Sequence, residues 1–127
     1  MSVLLSSTIT AIGPEVPDLL EGGVLILFAD GCPPELAEVS VSHRVSHVTG
    51  NTPPKAGDLI RIGSLQTRIT AVGPLAWDKA KEMGHVVFNF GGANEADRLG
   101  EICAAPVDHE KLLVLLKSGE TIVIESA

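Results

Sequence analysis

The chain has 127 residues and a formal net charge of −7, a length that fits one domain over residues 1–127 with a core of its own. Hydrophobic residues make up 45% and aromatics only 3%, with 13 glycines and 8 prolines, so small β-branched residues divided by turn signals favour a mainly β fold of short strands. The negative charge, with no basic run and no set of stacking aromatics, argues against nucleic-acid and acidic-membrane binding and suits a protein partner with a basic surface.

Cys32 and Cys103 lie far apart and outside any C-x-x-C pattern, which fits a reducing cytoplasm and argues against a disulfide framework. The opening MSVLLSSTIT lacks a basic leader, and no segment approaches the roughly 18 uninterrupted apolar residues of a membrane span. The chain is expected to be cytoplasmic. No internal repeat at a fixed period is visible.

In chain order, VLLSSTITAIG predicts a strand ending at Gly13-Pro14, and VLILF (24–28) a core strand. Pro33 and Pro34 open a short helical turn. In EVSVSHRVSHVTG (38–50), Val39, Val41, His43, Val45 and His47 alternate with Ser40, Ser42, Arg44 and Ser46, the period of a half-buried strand that puts His43 among valines. GNTPPKAG is a loop, after which DLIRIG and LQTRITAVG flank Gly63-Ser64 as a hairpin.

GPLAWDKAKEMG predicts a helix with an apolar stripe of Leu75, Ala76, Ala80 and Met83 and a left-handed stop at Gly84. HVVFNF is a strand with Val86, Phe88 and Phe90 on one face and His85, Val87 and Asn89 on the other. GGANEADRLGE is a polar loop, and GEICAAP and the closing SGETIVIES supply further strands. About seven to nine short strands with one or two short helices predict a compact barrel or rolled sheet.

Three readings of His43 stay open. It is a satisfied strand histidine, a metal ligand, or a nucleophile. Metal binding meets a geometric obstacle, because on a strand His43 and His47 stand roughly 13 Å apart and need ligands from His85 or the acidic loops. As a nucleophile, an imidazole at the edge of an apolar face is held neutral by desolvation and can accept a phosphoryl group. The product needs donors such as Arg44, Ser42 or Ser46. On a regular strand these side chains point away, and only a bulge or strand end turns them round.

His85, after Gly84, reads equally as a charge partner at a helix end or as a site residue. Asn94 and Glu95 read as turn-forming loop residues, and His109 as solvated surface. The rival functional classes are a regulatory or binding module that does not turn over, and a small metal-binding protein using His43, His47 and His85.

The stretch GHVVFNFGGANEADRLG (84–100), with TITAIG, SHRVSHVTG, TAVG and GETIVIES in the same order along the chain, resembles the glucitol/sorbitol-specific IIA component of the bacterial phosphotransferase system. Its most specific part is G-H-V-x-x-x-F-x-G-x-N-E-A. The family commonly continues to Pro-Gly where this chain has Leu99-Gly100. The resemblance implies a single phosphocarrier domain with a compact, mostly β barrel, needing no cofactor or metal. It implies that His43 takes a phosphoryl group from HPr and passes it to the IIB part of the sugar permease. His85, Asn94 and Glu95 lie in its most specific motif, which makes His85 a candidate hydrogen-bond partner of the phosphate and Asn94 and Glu95 candidate binding residues, beside the Arg44 and Ser42 that the strand reading offers.

Overall fold

The computed structural model describes residues 2–127. Eight strands, β1 (Val3–Ile12), β2 (Val24–Ala29), β3 (Val41–Val48), β4 (Leu59–Ile62), β5 (Leu65–Val72), β6 (Val86–Asn89), β7 (Glu101–Ala104) and β8 (Thr121–Glu125), close into a barrel in the order β1-β3-β2-β6-β7-β5-β4-β8. The expected barrel and strand count hold. Inward-facing Ile, Leu, Val and Phe fill the interior, with Leu5, Leu27, Ile60, Phe88, Ile102 and Ile124 all fully buried, each contributing about 1.5–3 kcal/mol of apolar burial.

Four short helices decorate the barrel: α1 (Val16–Glu21), α2 (Pro34–Ala37), α3 (Ala76–Met83) and α4 (His109–Leu115). That is more than the one or two expected. Helix α1 is hidden in sequence by Pro17, which is tolerated because it falls in the first turn, where its missing N–H has no helical partner. Helix α4 is started by Asp108, whose carboxylate accepts from the Glu110 and Lys111 amides. Helix α3 buries only part of the expected stripe. Ala76, Trp77 and Ala80 are buried, while Leu75 and Met83 are 40% and 41% exposed, because the Trp77 indole reaches in and donates to the Thr49 carbonyl at 2.9 Å.

The barrel is built twice over, from two halves whose spacing drifts, so the sequence shows no repeat at a fixed period although the fold has one. Ile9–Pro14 reads ITAIGP and Ile69–Pro74 reads ITAVGP, and in each half a strand, short helix and strand lead to a strand parallel to the second. The ladder Leu27↔Val41 in β2–β3 recurs as Phe88↔Ile102 in β6–β7, and Ile9↔His43 recurs as Ile69↔Ala104, each followed by the same bulge. The close approach at Gly13, where a Cβ would lie 2.2 Å from the Ala37 carbonyl oxygen, recurs at Gly73 against Leu99 at 2.3 Å. The halves join through the antiparallel pairs β2–β6 and β4–β8 and through the matching pairs β1–β8 and β4–β5. The offset is 60 residues at Ile9/Ile69, 61 at Gly31/Gly92 and 62 at Gly57/Gly119. Single-residue insertions therefore break any fixed period.

Candidate functional site

His43 is 0% exposed and shares the inner face with Val41, as the alternation of β3 predicts. Its partner across the ladder is Ile9 on one side and Ala29 on the other. Both ring nitrogens are engaged. Nε2 lies 2.7 Å from the Gly84 carbonyl oxygen and Nδ1 2.8 Å from Ser7 Oγ. Burial lowers the imidazole pKa below the usual 6.5, against the opposing pull of the Gly84 carbonyl and the Asp30 carboxylate, so the ring is neutral at pH 7. A carbonyl only accepts, so the single proton sits on Nε2, and the lone pair of Nδ1 accepts from the Ser7 hydroxyl.

Gly84 can present its carbonyl this way because it sits in the left-handed region at φ 60 as the C-cap of α3. A side chain there would meet Ala29 Cβ at 2.9 Å. The covered imidazole forms part of the floor of a surface cavity of about 530 Å³, whose walls include Asp30, Arg44, Lys81 and Met83. Lys81 Nζ donates to the Gly50 carbonyl at 2.8 Å and lies 3.7 Å from Asp78. The exposed Arg44 supplies a second cation at the cavity. A neutral imidazole with one nitrogen tied and the other carrying a lone pair, beside two cations, can act as a nucleophile toward an anionic electrophile.

The structure distributes the other candidates unevenly. Arg44 shares the cavity of His43, although it alternates away from it along β3. Ser42 is buried in the ladder beside Phe28 and Ala11. The pairing of β1 with β3 skips at Ser46, whose hydroxyl donates to the Ser6 carbonyl. That bulge overturns the expected alternation beyond Val45: His47 is exposed and leaves the face of His43, its Nε2 3.2 Å from the Val3 carbonyl. Asn94 and Glu95 line a separate cavity of about 520 Å³ with Thr70 and Pro74.

The His85 ring also faces away from that of His43, on the outer surface of β2 and β6. Its Nδ1 donates to the Leu27 carbonyl at 3.3 Å, and the ring packs on Phe28 with centroids 4.7 Å apart. His43 and His85 share no direct contact; they are connected through the Gly84 peptide and through β2, whose Leu27 carbonyl meets His85 and whose Ala29 pairs with His43. Ser7, Asp30 and the Gly84 carbonyl were not singled out by the sequence; Gly84 carried a signal as a helix stop, but nothing in it pointed 41 residues back to an imidazole. Among the described residues no three His, Cys, Asp or Glu side chains converge as a metal site, and no helix is long and apolar enough to cross a membrane.

This barrel is the fold of a phosphotransferase-system IIA protein. The structure described as the PTS system IIA component from Enterococcus faecalis V583 superposes with a TM-score of 0.67 at 19% identity, covering 92% of this chain and 96% of that one. Sequence narrows the class. The family described as PTS system glucitol/sorbitol-specific IIA component matches residues 4–123. The PTS system glucitol/sorbitol-specific EIIA components of Shigella flexneri and Escherichia coli K12 are each 37% identical over 108 residues, covering 84% of this chain and 86% of theirs. The chain belongs to the glucitol/sorbitol-specific IIA family of the phosphotransferase system.

Proposed function

We propose that this chain is the cytoplasmic phosphocarrier of a glucitol/sorbitol phosphotransferase system, taking a phosphoryl group from phospho-HPr on His43 and handing it to the IIB part of the permease. Family membership supports the setting. The observation that carries the assignment to His43 is the state of its ring: neutral, with Nε2–H held by the Gly84 carbonyl and the Nδ1 lone pair met only by a hydroxyl. A hydroxyl can turn away at little cost, whereas releasing the carbonyl leaves a buried acceptor unpaired.

On this reading Nδ1 is the acceptor nitrogen. The P–N bond of phospho-HPr breaks as the P–Nδ1 bond forms, the donor imidazole leaves with the bonding pair, and Nε2 keeps its proton against Gly84. The Ser7 hydroxyl then turns to donate to a phosphoryl oxygen, while Arg44 and Lys81 offset its charge. Because the resting ring is covered and Nδ1 faces the buried Ser7 hydroxyl, access to Nδ1 requires local movement around Ser7 while the Gly84 contact is kept.

The test is intact mass after incubation with phosphoenolpyruvate, enzyme I and HPr. One phosphoryl group is expected on the wild type and none on His43→Ala, with acid-labile, alkali-stable label in the peptide containing residue 43. Transfer from purified phospho-HPr should proceed unchanged in EDTA, since fixed protein donors do the neutralising. Wild-type labelling of His43→Ala would sink the assignment. No label on the wild type would favour a binding module, and stoichiometric zinc with a melting temperature lowered by EDTA would favour a metal protein.

A further inference from the structure

On the face of the sheet opposite His43 lies a third cavity, of about 240 Å³, lined by Lys79 of α3, His85 before β6, Arg98 of the β6–β7 loop and Glu101 of β7, over a floor that includes Val24 and Val87. In an acidic chain, two of nine Lys and Arg residues and one of four histidines meet here. Among the described residues neither Lys79 nor Arg98 has a carboxylate within 4.0 Å, since the ion pairs are Arg61–Glu125 and Lys81–Asp78. Lys79 is set in place by Gly100: a Cβ there would stand 3.0 Å from Lys79 Cδ.

The duplication shows that the fold does not require these charges. By ladder position and the 60–61 residue offset, the N-terminal half has Leu19 where the C-terminal half has Lys79, Val24 for His85, Ala37 for Arg98 and Ser40 for Glu101. A matching helix-and-strand frame, with the short helix α2 where the C-terminal half has an irregular loop, is thus built without a single ionisable group at the four positions. Charges that structure does not need, gathered around one cavity, point to a ligand.

We infer that this cavity binds a small hydroxylated phosphate monoester. The Arg98 guanidinium and Lys79 ammonium offer the fork and point charge that suit a phosphate, with the His85 ring beside them. Glu101 is 3% exposed, and its carboxylate takes only long contacts, from Asn89 Nδ2 at 3.3 Å and Cys103 Sγ at 3.5 Å. A bare dianion is repelled at that end, whereas an alcohol can donate to it. The volume lies below the roughly 300–1,000 Å³ usual for drug-sized ligands, which limits the guest to a few carbons and one phosphate. The inference stands independently of the assignment of His43.

Glycerol 3-phosphate is the probe, compared with inorganic phosphate and glycerol in an NMR titration of the full chain. Glycerol 3-phosphate should give saturable shifts at Val87, Gly100 and Glu101, with a dissociation constant at least about tenfold below those of its two parts. Lys79→Leu and Arg98→Ala, the residues the other half already carries, should each weaken it about tenfold or more with the fold intact, and Lys111→Met should not. Gly100→Ala should weaken it too, by pushing the Lys79 stem aside without removing a charge. Absence of saturable binding, equal affinity for inorganic phosphate, or unchanged affinity in both charge variants would overturn the inference.

Discussion

The Nε2 of His43 and the carbonyl oxygen of Gly84, 41 residues apart in sequence, lie 2.7 Å apart in a site from which the imidazole is wholly shielded. That one contact fixes the tautomer of the ring and leaves the Nδ1 lone pair against Ser7. The predictions start from it.

Ser7→Ala removes the hydroxyl that donates to Nδ1 at 2.8 Å. It should cost about 1–3 kcal/mol in stability, because a buried acceptor loses its donor. Phosphorylation should survive on His43, with faster loss of the phosphoryl group if the hydroxyl holds its oxygens. Chemical denaturation and the half-life of the phosphoprotein read the two effects separately, and an unchanged half-life would remove Ser7 from the phosphorylated state.

Gly84→Ala places a Cβ on a residue at φ 60 and 2.9 Å from Ala29 Cβ. The left-handed conformation alone costs about 1–2 kcal/mol for an alanine. The larger effect should fall on chemistry, since a shifted carbonyl frees the Nε2 proton and lets the ring change tautomer. Histidine ¹⁵N shifts should report a mixed tautomer; a pure Nε2–H form in this variant would show that Gly84 does not set it.

His85→Ala removes a ring whose partners are the Leu27 carbonyl and Phe28, not His43. Any effect on transfer is therefore indirect, through the Gly84 peptide or through β2. We expect a loss in transfer rate of less than about tenfold, below the roughly 1.5–3 kcal/mol expected of a direct hydrogen bond to a charged phosphate. Complete loss of label would reopen which histidine is the acceptor.

Burial holds the pKa of His43 below its ordinary value of 6.5, and burial with the nearby Lys79 charge does the same for His85. In the window between those folded values and 6.5 the unfolded chain binds more protons than the folded one, so stability falls as pH falls. Above about pH 6.5 this contribution is fully present, and below the folded values no further loss comes from these two groups. His43→Gln should flatten part of that slope relative to wild type in urea titrations across the window; parallel curves would mean that His43 titrates alike in both states.

The legible part of the fold was the part governed by local periodicity. Val86, Phe88 and Phe90 alternate inward as their pattern predicts, and Gly84 ends α3 with the left-handed conformation that glycine tolerates. What stayed hidden was set by distant contacts. The inward face of α3 follows Trp77 because the Thr49 carbonyl waits for its indole. The bulge at Ser46 exists only in the pairing with β1, so no pattern within β3 could show that His47 leaves the face of His43. The two ITA-[IV]-GP stretches stand in the sequence itself, but the spacing between the copies drifts from 60 to 62 residues and leaves no fixed period.

The two halves of the barrel put His43 and Ala104 at matching places in the ladder, both fully buried. Once a chain carries its own frame twice, one copy can keep the closure sound while the other drifts toward reactivity. A position that must be inert in a single-copy barrel becomes free to hold an ionisable ring, because its twin has already shown that a methyl group suffices there. In such a molecule function is written in the differences between the copies, and aligning the chain with itself reveals it more directly than its overall composition does.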